Sequence, residues 1–142
     1  MAIENISDKN NPKTVARKKG FRDLDLKLVL HPFRKDIIPL KDANAVKNAV
    51  KNLILTNFFE RPFQPALGAN LRGLLFEPMD SITELAIEDN IRRVLLKEPR
   101  IKVIYINAES DEDANHYNLT VKFRIKQSDQ EEQVAIVLRR LR

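Results

Sequence analysis

Pro99 divides the chain into two regimes of hydrophobic periodicity, and no single element can run through it. Upstream, Ile87, Ile91, Val94 and Leu95 recur at helical spacing. Downstream, apolar residues fall into the alternation of strands. Proline donates no amide hydrogen and disfavours helical geometry in the residue before it, so the helix must stop by Glu98. Glu98 and Arg100 flank that stiff turn. From the sequence, their opposite charges are expected to project from a fixed corner, as suits docking more than folding. The plainer alternative is an incidental surface ion pair, worth about 0–1 kcal/mol.

Other elements follow from the same reading. Leu24, Leu26, Leu28 and Leu30 alternate with Asp25, Lys27 and Val29, predicting a half-buried strand, with Ile37-Ile38 as a short return strand in a loose hairpin. Asp42 is the predicted N-cap of a helix over about 43–56, whose Val46, Val50, Leu53 and Ile54 share a face. Pro62, Pro65 and Gly68 punctuate an irregular stretch leading to an apolar helical turn at Leu71, Leu74, Leu75 and Phe76. Ser81 and Glu84 have capping-box spacing for the helix that Pro99 ends.

Three strands close the chain. Residues 101–108 are apolar on both faces and are therefore placed centrally. Leu119, Val121, Phe123 and Ile125 alternate with polar residues, and an acidic, mobile loop is expected over 109–118. The last strand, Gln133–Leu141, turns Val134, Ile136 and Leu138 inward and Ala135, Val137 and Arg139 outward. Coming last in a meander, it is expected to leave one edge free for an added strand, unless a neighbouring element of the domain covers it. The fold class is α+β, with two main helices and a short helical turn packed on one face of an antiparallel C-terminal meander.

At 142 residues, 43% hydrophobic and 32% charged, the chain suits one globular domain over 21–142. The net charge of +5 resides in residues 1–41, which hold ten Lys/Arg and five Asp/Glu; the remainder is neutral. Residues 1–20, richest at Arg17-Lys18-Lys19, read as a basic flexible arm that orders on an acidic partner. A neutral body without a basic aromatic face argues against nucleic acid as a partner. No apolar run approaches the roughly 18 residues that span a bilayer, and no secretory leader is expected, so no membrane partner is assigned. There is no cysteine, and His31 and His116 lie far apart, which makes a metal site improbable and leaves no cofactor to assign.

Glu60, Glu77 and Glu98 admit a glycosidase reading, since sugar hydrolysis uses two carboxyl groups about 5–10 Å apart. Each also has a local explanation: Glu60 beside Arg61, Glu77 before a turn, Glu98 beside Arg100. No phosphate loop or nucleophile elbow occurs. Enzyme activity is not expected.

The order Thr56, Glu60-Arg61-Pro62-Phe63, Gly68, Leu75-Phe76-Glu77 and Glu98-Pro99-Arg100 resembles the small baseplate wedge proteins of contractile-tailed phages. That family includes the lysozyme-like baseplate subunits of type VI secretion and contractile injection systems. The resemblance runs from about Phe21 to the C-terminus. It implies a structural role, in a virion assembled in the host cytoplasm, with motif spacing nearer the phage form. It implies docking through Glu98, Pro99 and Arg100 on a helical core bundle of larger wedge proteins. It also implies strands that start the tail sheath, a role the edge reading gives to Val134, Ile136, Val137 and Arg139 of the final strand, with hub or tube-initiating proteins as further neighbours. Glu60, Arg61, Pro62, Phe63 and Gly68 are then a structural loop with Phe63 as an aromatic plug, and Leu75, Phe76 and Glu77 an apolar anchor. The alternatives are a peptidoglycan-cleaving glycosidase or the equivalent subunit of a secretion or injection system.

Overall fold

The computed structural model describes residues 20–25, 28–33 and 35–140. The basic arm therefore lies outside the described residues, Gly20 apart. A short hairpin, β1 (Arg22–Leu24) and β2 (Pro39–Lys41), precedes helices α1 (Asp42–Leu55), α2 (Leu71–Leu74) and α3 (Ser81–Leu95). A meander of β3 (Ile101–Asp111), β4 (His116–Ile125) and β5 (Glu131–Arg139) completes the domain. The core lies between the helices and one sheet face. Val46, Val50 and Ile54 of α1 and Ile87, Ile91 and Val94 of α3 meet Leu119, Val121 and Phe123 of β4 and Val134, Ile136 and Leu138 of β5. The other face is polar, with Arg124 and Lys122 both paired to Glu131. The α+β arrangement with one buried sheet face is as expected.

Several local expectations are corrected. The leucine alternation does not make a strand over 24–30. β1 ends at Leu24, a lone bridge joins Leu30 to Ile37, and Leu24, Leu28 and Leu30 are exposed. Leu26 lies outside the described residues. The hairpin stands off the core, held at its base by Asn48, which donates to Asp23 and to the Leu24 carbonyl. Asp42 is not the N-cap of α1. Lys41 holds that position without a side-chain cap, while Asp42 takes φ 48° and donates its amide to Phe21. The N-cap of α3 is Asp80, accepting from Thr83 N at 2.8 Å, so Ser81 and Glu84 form no capping box.

The sheet order is β3-β4-β5, so the strand that is apolar on both faces is an edge and not the centre. Its excess apolar residues are explained by a bulge between Val103 and Tyr105, which leaves Ile104 and Tyr105 exposed. The acidic loop is short: β3 runs to Asp111, and the turn before His116 is closed by Asp111 accepting from Ala114 N.

Register fixes which backbone groups face outward. Arg140 N donates to Asn115 O and Ile125 N to Gln130 O, marking hydrogen-bonded pairs at both ends of the β4–β5 ladder. Antiparallel pairs alternate, so Val134, Ile136 and Leu138 direct their backbone groups at β4. Gln133, Ala135, Val137 and Arg139 direct theirs away from it.

The 56–70 loop is closed over the end of α1 by Ala69 N donating to Thr56 O. Gly68, at φ 140°, makes that approach feasible, since a Cβ there would stand 2.4 Å from the Thr56 carbonyl oxygen. Gly68→Ala is expected to cost about 1–3 kcal/mol or more in urea unfolding. A loss below a few tenths of a kcal/mol would show that the loop does not need this geometry.

Candidate assembly site

The corner after α3 is built by two consecutive turns, with Lys97 N donating to Val94 O and Glu98 N to Leu95 O. Pro99 ends the helical backbone, and the Arg100 carbonyl accepts from Lys126 N, which opens the β3–β4 ladder. The charges of this corner do not project. Glu98 is only 9% exposed, and Arg100 folds back on it with Nε to Oε1 at 2.6 Å and a terminal nitrogen to Oε2 at 2.8 Å. The Arg100 backbone amide adds a third bond at 3.2 Å, and its guanidinium lies 5.5 Å from the Phe21 ring centre. These hydrogen bonds from Arg100 hold the Glu98 carboxyl below its ordinary value of 4.5, against the opposing effect of burial. The pair is thus an internal contact, joining α3, β3 and the start of the described chain.

The Glu60–Phe63 loop also departs from expectation. Glu60 is not paired with Arg61. Its carboxylate accepts from Asn57 Nδ2 and Asn57 N at 2.8 and 2.9 Å, which lowers its pKa. Phe63 is no plug: it is 98% exposed, carried outward beside Pro62. Phe76 is exposed as well, whereas Leu75 packs partly against the core. The Phe76 carbonyl accepts from Arg140, tying the Leu75-Phe76-Glu77 turn to the end of β5. Arg61 shares a cleft with Arg22, Asp23, Glu98 and Arg100, so the loop and corner meet there. Lys97 Nζ, donating to Ala66 O at 2.7 Å, is a second tie between them.

On β5 the residues expected at a sheath contact divide. Val134 and Ile136 are buried against the helices and direct their backbone at β4, so they build the core and offer nothing outward. Val137 and Arg139 are exposed and border a cleft of about 300 Å³ with Leu55, Leu71, Arg72 and Leu75. Among the described residues no strand lies along the outer edge of β5. Phe21, Lys97, Glu84 and Glu88 escaped the sequence reading. Each acts through a partner distant in sequence, and the spacing of Glu84 from Ser81 suits a local cap equally well.

Residues 41–131 match the family of the baseplate wedge protein gp25. The chain belongs to this family. It is 31% identical over 124 residues to the baseplate wedge protein gp25 of Enterobacteria phage T4, covering 84% of this chain and 92% of that protein. The fold is shared with a chain of the anti-feeding prophage baseplate (14% identity, 87% of this chain and 88% of that one, TM-score 0.59). It is shared too with a chain of the post-contraction pyocin R2 baseplate (20% identity, 75% and 99%, TM-score 0.57). A proposed tail lysozyme of Geobacter sulfurreducens has the same fold (18% identity, 68% and 89%, TM-score 0.62). The protein is accordingly a structural subunit of a contractile-tail baseplate and a component of the virion.

The linkage of the corner to stability has a definite sign. Because folding depresses the Glu98 pKa, its contribution is complete above the unfolded value of 4.5 and is lost as pH falls through the folded value. The stability advantage of wild type over Glu98→Gln, from urea unfolding, is expected to shrink on going from about pH 6 to about pH 3. Arg100→Ala, which strands a buried carboxylate, is expected to cost about 1–3 kcal/mol at neutral pH. An Arg100→Ala protein as stable as wild type, with a pH-independent Glu98→Gln difference, would show the pair to be energetically idle.

Proposed function

We propose that this subunit docks on larger wedge proteins through the face that carries the Glu98-Pro99-Arg100 corner, and starts the tail sheath by accepting a sheath strand on the outer edge of β5. The observation that carries the second half is a three-stranded sheet ending on β5, whose outward amides at Ala135 and Val137 face no strand among the described residues. Strand addition supplies main-chain hydrogen bonds for affinity, and an adjoining pocket supplies specificity. The cleft beside Val137 and Arg139 is suited to receive a side chain of the incoming strand. For the corner, the internal Glu98–Arg100 pair acts as a positioning element: it sets the shape of the surface around Pro99, and the neighbouring Arg61 and Arg22 supply cationic donors to a partner carboxylate.

No hydrolytic step is assigned. A glycosidase acid needs a carboxyl group kept protonated by a raised pKa. Glu60 and Glu98 are both shifted downward by their hydrogen bonds, the opposite of what that role requires.

Proline at two adjacent positions tests the strand reading. Val137 points its amide outward and Ile136 points its own at Leu119 of β4. Val137→Pro is expected to leave a folded protein that completes baseplates but extends no sheath, as seen by electron microscopy of assembly reactions. Ile136→Pro breaks the internal ladder and is expected to lose about 3 kcal/mol or more. Normal sheaths on Val137→Pro baseplates would reject strand addition at β5.

A further inference from the structure

The sheet has a second edge, on β3, and it differs from β5. The Arg100–Lys126 bond at the start of the ladder and the bulge at Val103/Tyr105 set the register. Beyond the bulge, Tyr105, Asn107 and Glu109 direct their backbone groups at β4, and Ile106, Ala108 and Ser110 direct theirs away. Two of these outward amides are occupied. Ala108 N donates to Glu88 Oε1 at 3.1 Å, and Ser110 N to Glu84 Oε1 at 2.7 Å. Ser110 Oγ donates to the same Glu84 oxygen at 2.6 Å. Glu84 and Glu88 are four residues apart on α3, and Ala108 and Ser110 two apart on β3. Four helix residues rise about 6.0 Å and two strand residues about 6.6–6.8 Å, so the spacings match closely enough for successive carboxylates to meet successive outward amides. The lower part of the same edge is interrupted by the bulge, a second feature that spoils a template for pairing.

We infer that Glu84 and Glu88 are specificity residues that close the β3 edge against strand addition, so that the sheet accepts a strand from the β5 side alone. A carboxylate is well suited to the task. It takes the donors an incoming strand would need, and it presents negative charge to the carbonyl oxygens of that strand. The arrangement gives the subunit a direction: growth can start at β5 and cannot start at β3, and two free copies cannot pair through β3. The directional part rests on the strand-addition reading above. The closure itself is a property of the isolated protein and is tested there.

The test is residue-resolved amide hydrogen exchange together with light scattering on the full chain. In wild type, the Ala108 and Ser110 amides are expected to exchange at least about tenfold more slowly than Ala135 and Val137, although all four lie on sheet edges. Glu88→Ala is expected to accelerate Ala108 and leave Ser110 protected. Glu84→Ala is expected to accelerate Ser110 and leave Ala108 protected. The double variant is expected to form concentration-dependent dimers that wild type does not form. Uniform acceleration across the sheet in both single variants would mean that the carboxylates act only on general stability, and would overturn the inference. So would a folded double variant that stays monomeric with unchanged exchange at both sites. A failure of Val137→Pro to stop sheath growth leaves these readouts unaffected, so the two ideas fail separately.

Discussion

The Glu98–Arg100 pair is the contact on which the rest of the domain depends. It lies where a helix must become a strand, and Pro99 alone only forbids the helix from continuing. The bidentate pair specifies where the chain goes next. It fixes the start of β3 through the Arg100 carbonyl and Lys126, and gathers Phe21 onto the guanidinium. A buried pair is poor evidence of net stabilisation, since desolvation offsets most of the attraction. Its consequence here is geometric. Removing one partner strands the other, so the chain is committed to a single conformation at this turn.

That commitment propagates to the sheet. With β3 anchored at Arg100 and running antiparallel to α3, Glu88 and Glu84 come level with Ala108 and Ser110. The helix thus covers one edge of a three-stranded sheet, and α1 packs on the buried face beside β5 without pairing to it, apart from a Lys47–Glu132 ion pair. The result is a sheet whose β3 edge is capped by side chains of α3 and whose β5 edge has no strand beside it among the described residues.

The fold class was legible in the sequence because Ile87, Ile91, Val94 and Leu95, and later Leu119, Val121 and Phe123, follow the periods of their elements closely. The order of strands was not. Ile104 and Tyr105 gave β3 the composition of a central strand, and a bulge, invisible to periodicity, accounts for them. The leucines of 24–30 show that alternation registers a suitable pattern without securing something to bury it against. Motif order singled out the corner, but the direction in which Glu98 and Arg100 point is a matter of rotamers and of Phe21, which lies 79 residues before Arg100. Side-chain caps on strand edges are legible least of all, because Glu84 fits a local capping box equally well on paper.

A map of the assembled baseplate at side-chain resolution tests most directly whether the two sheet edges are unequal. A fourth strand is expected beside β5, accepting hydrogen bonds from the Ala135 and Val137 amides, with Glu84 and Glu88 still seated on Ser110 and Ala108. A fourth strand beside β3 with the two carboxylates displaced, or a β5 edge left without any strand in a sheathed particle, would contradict it.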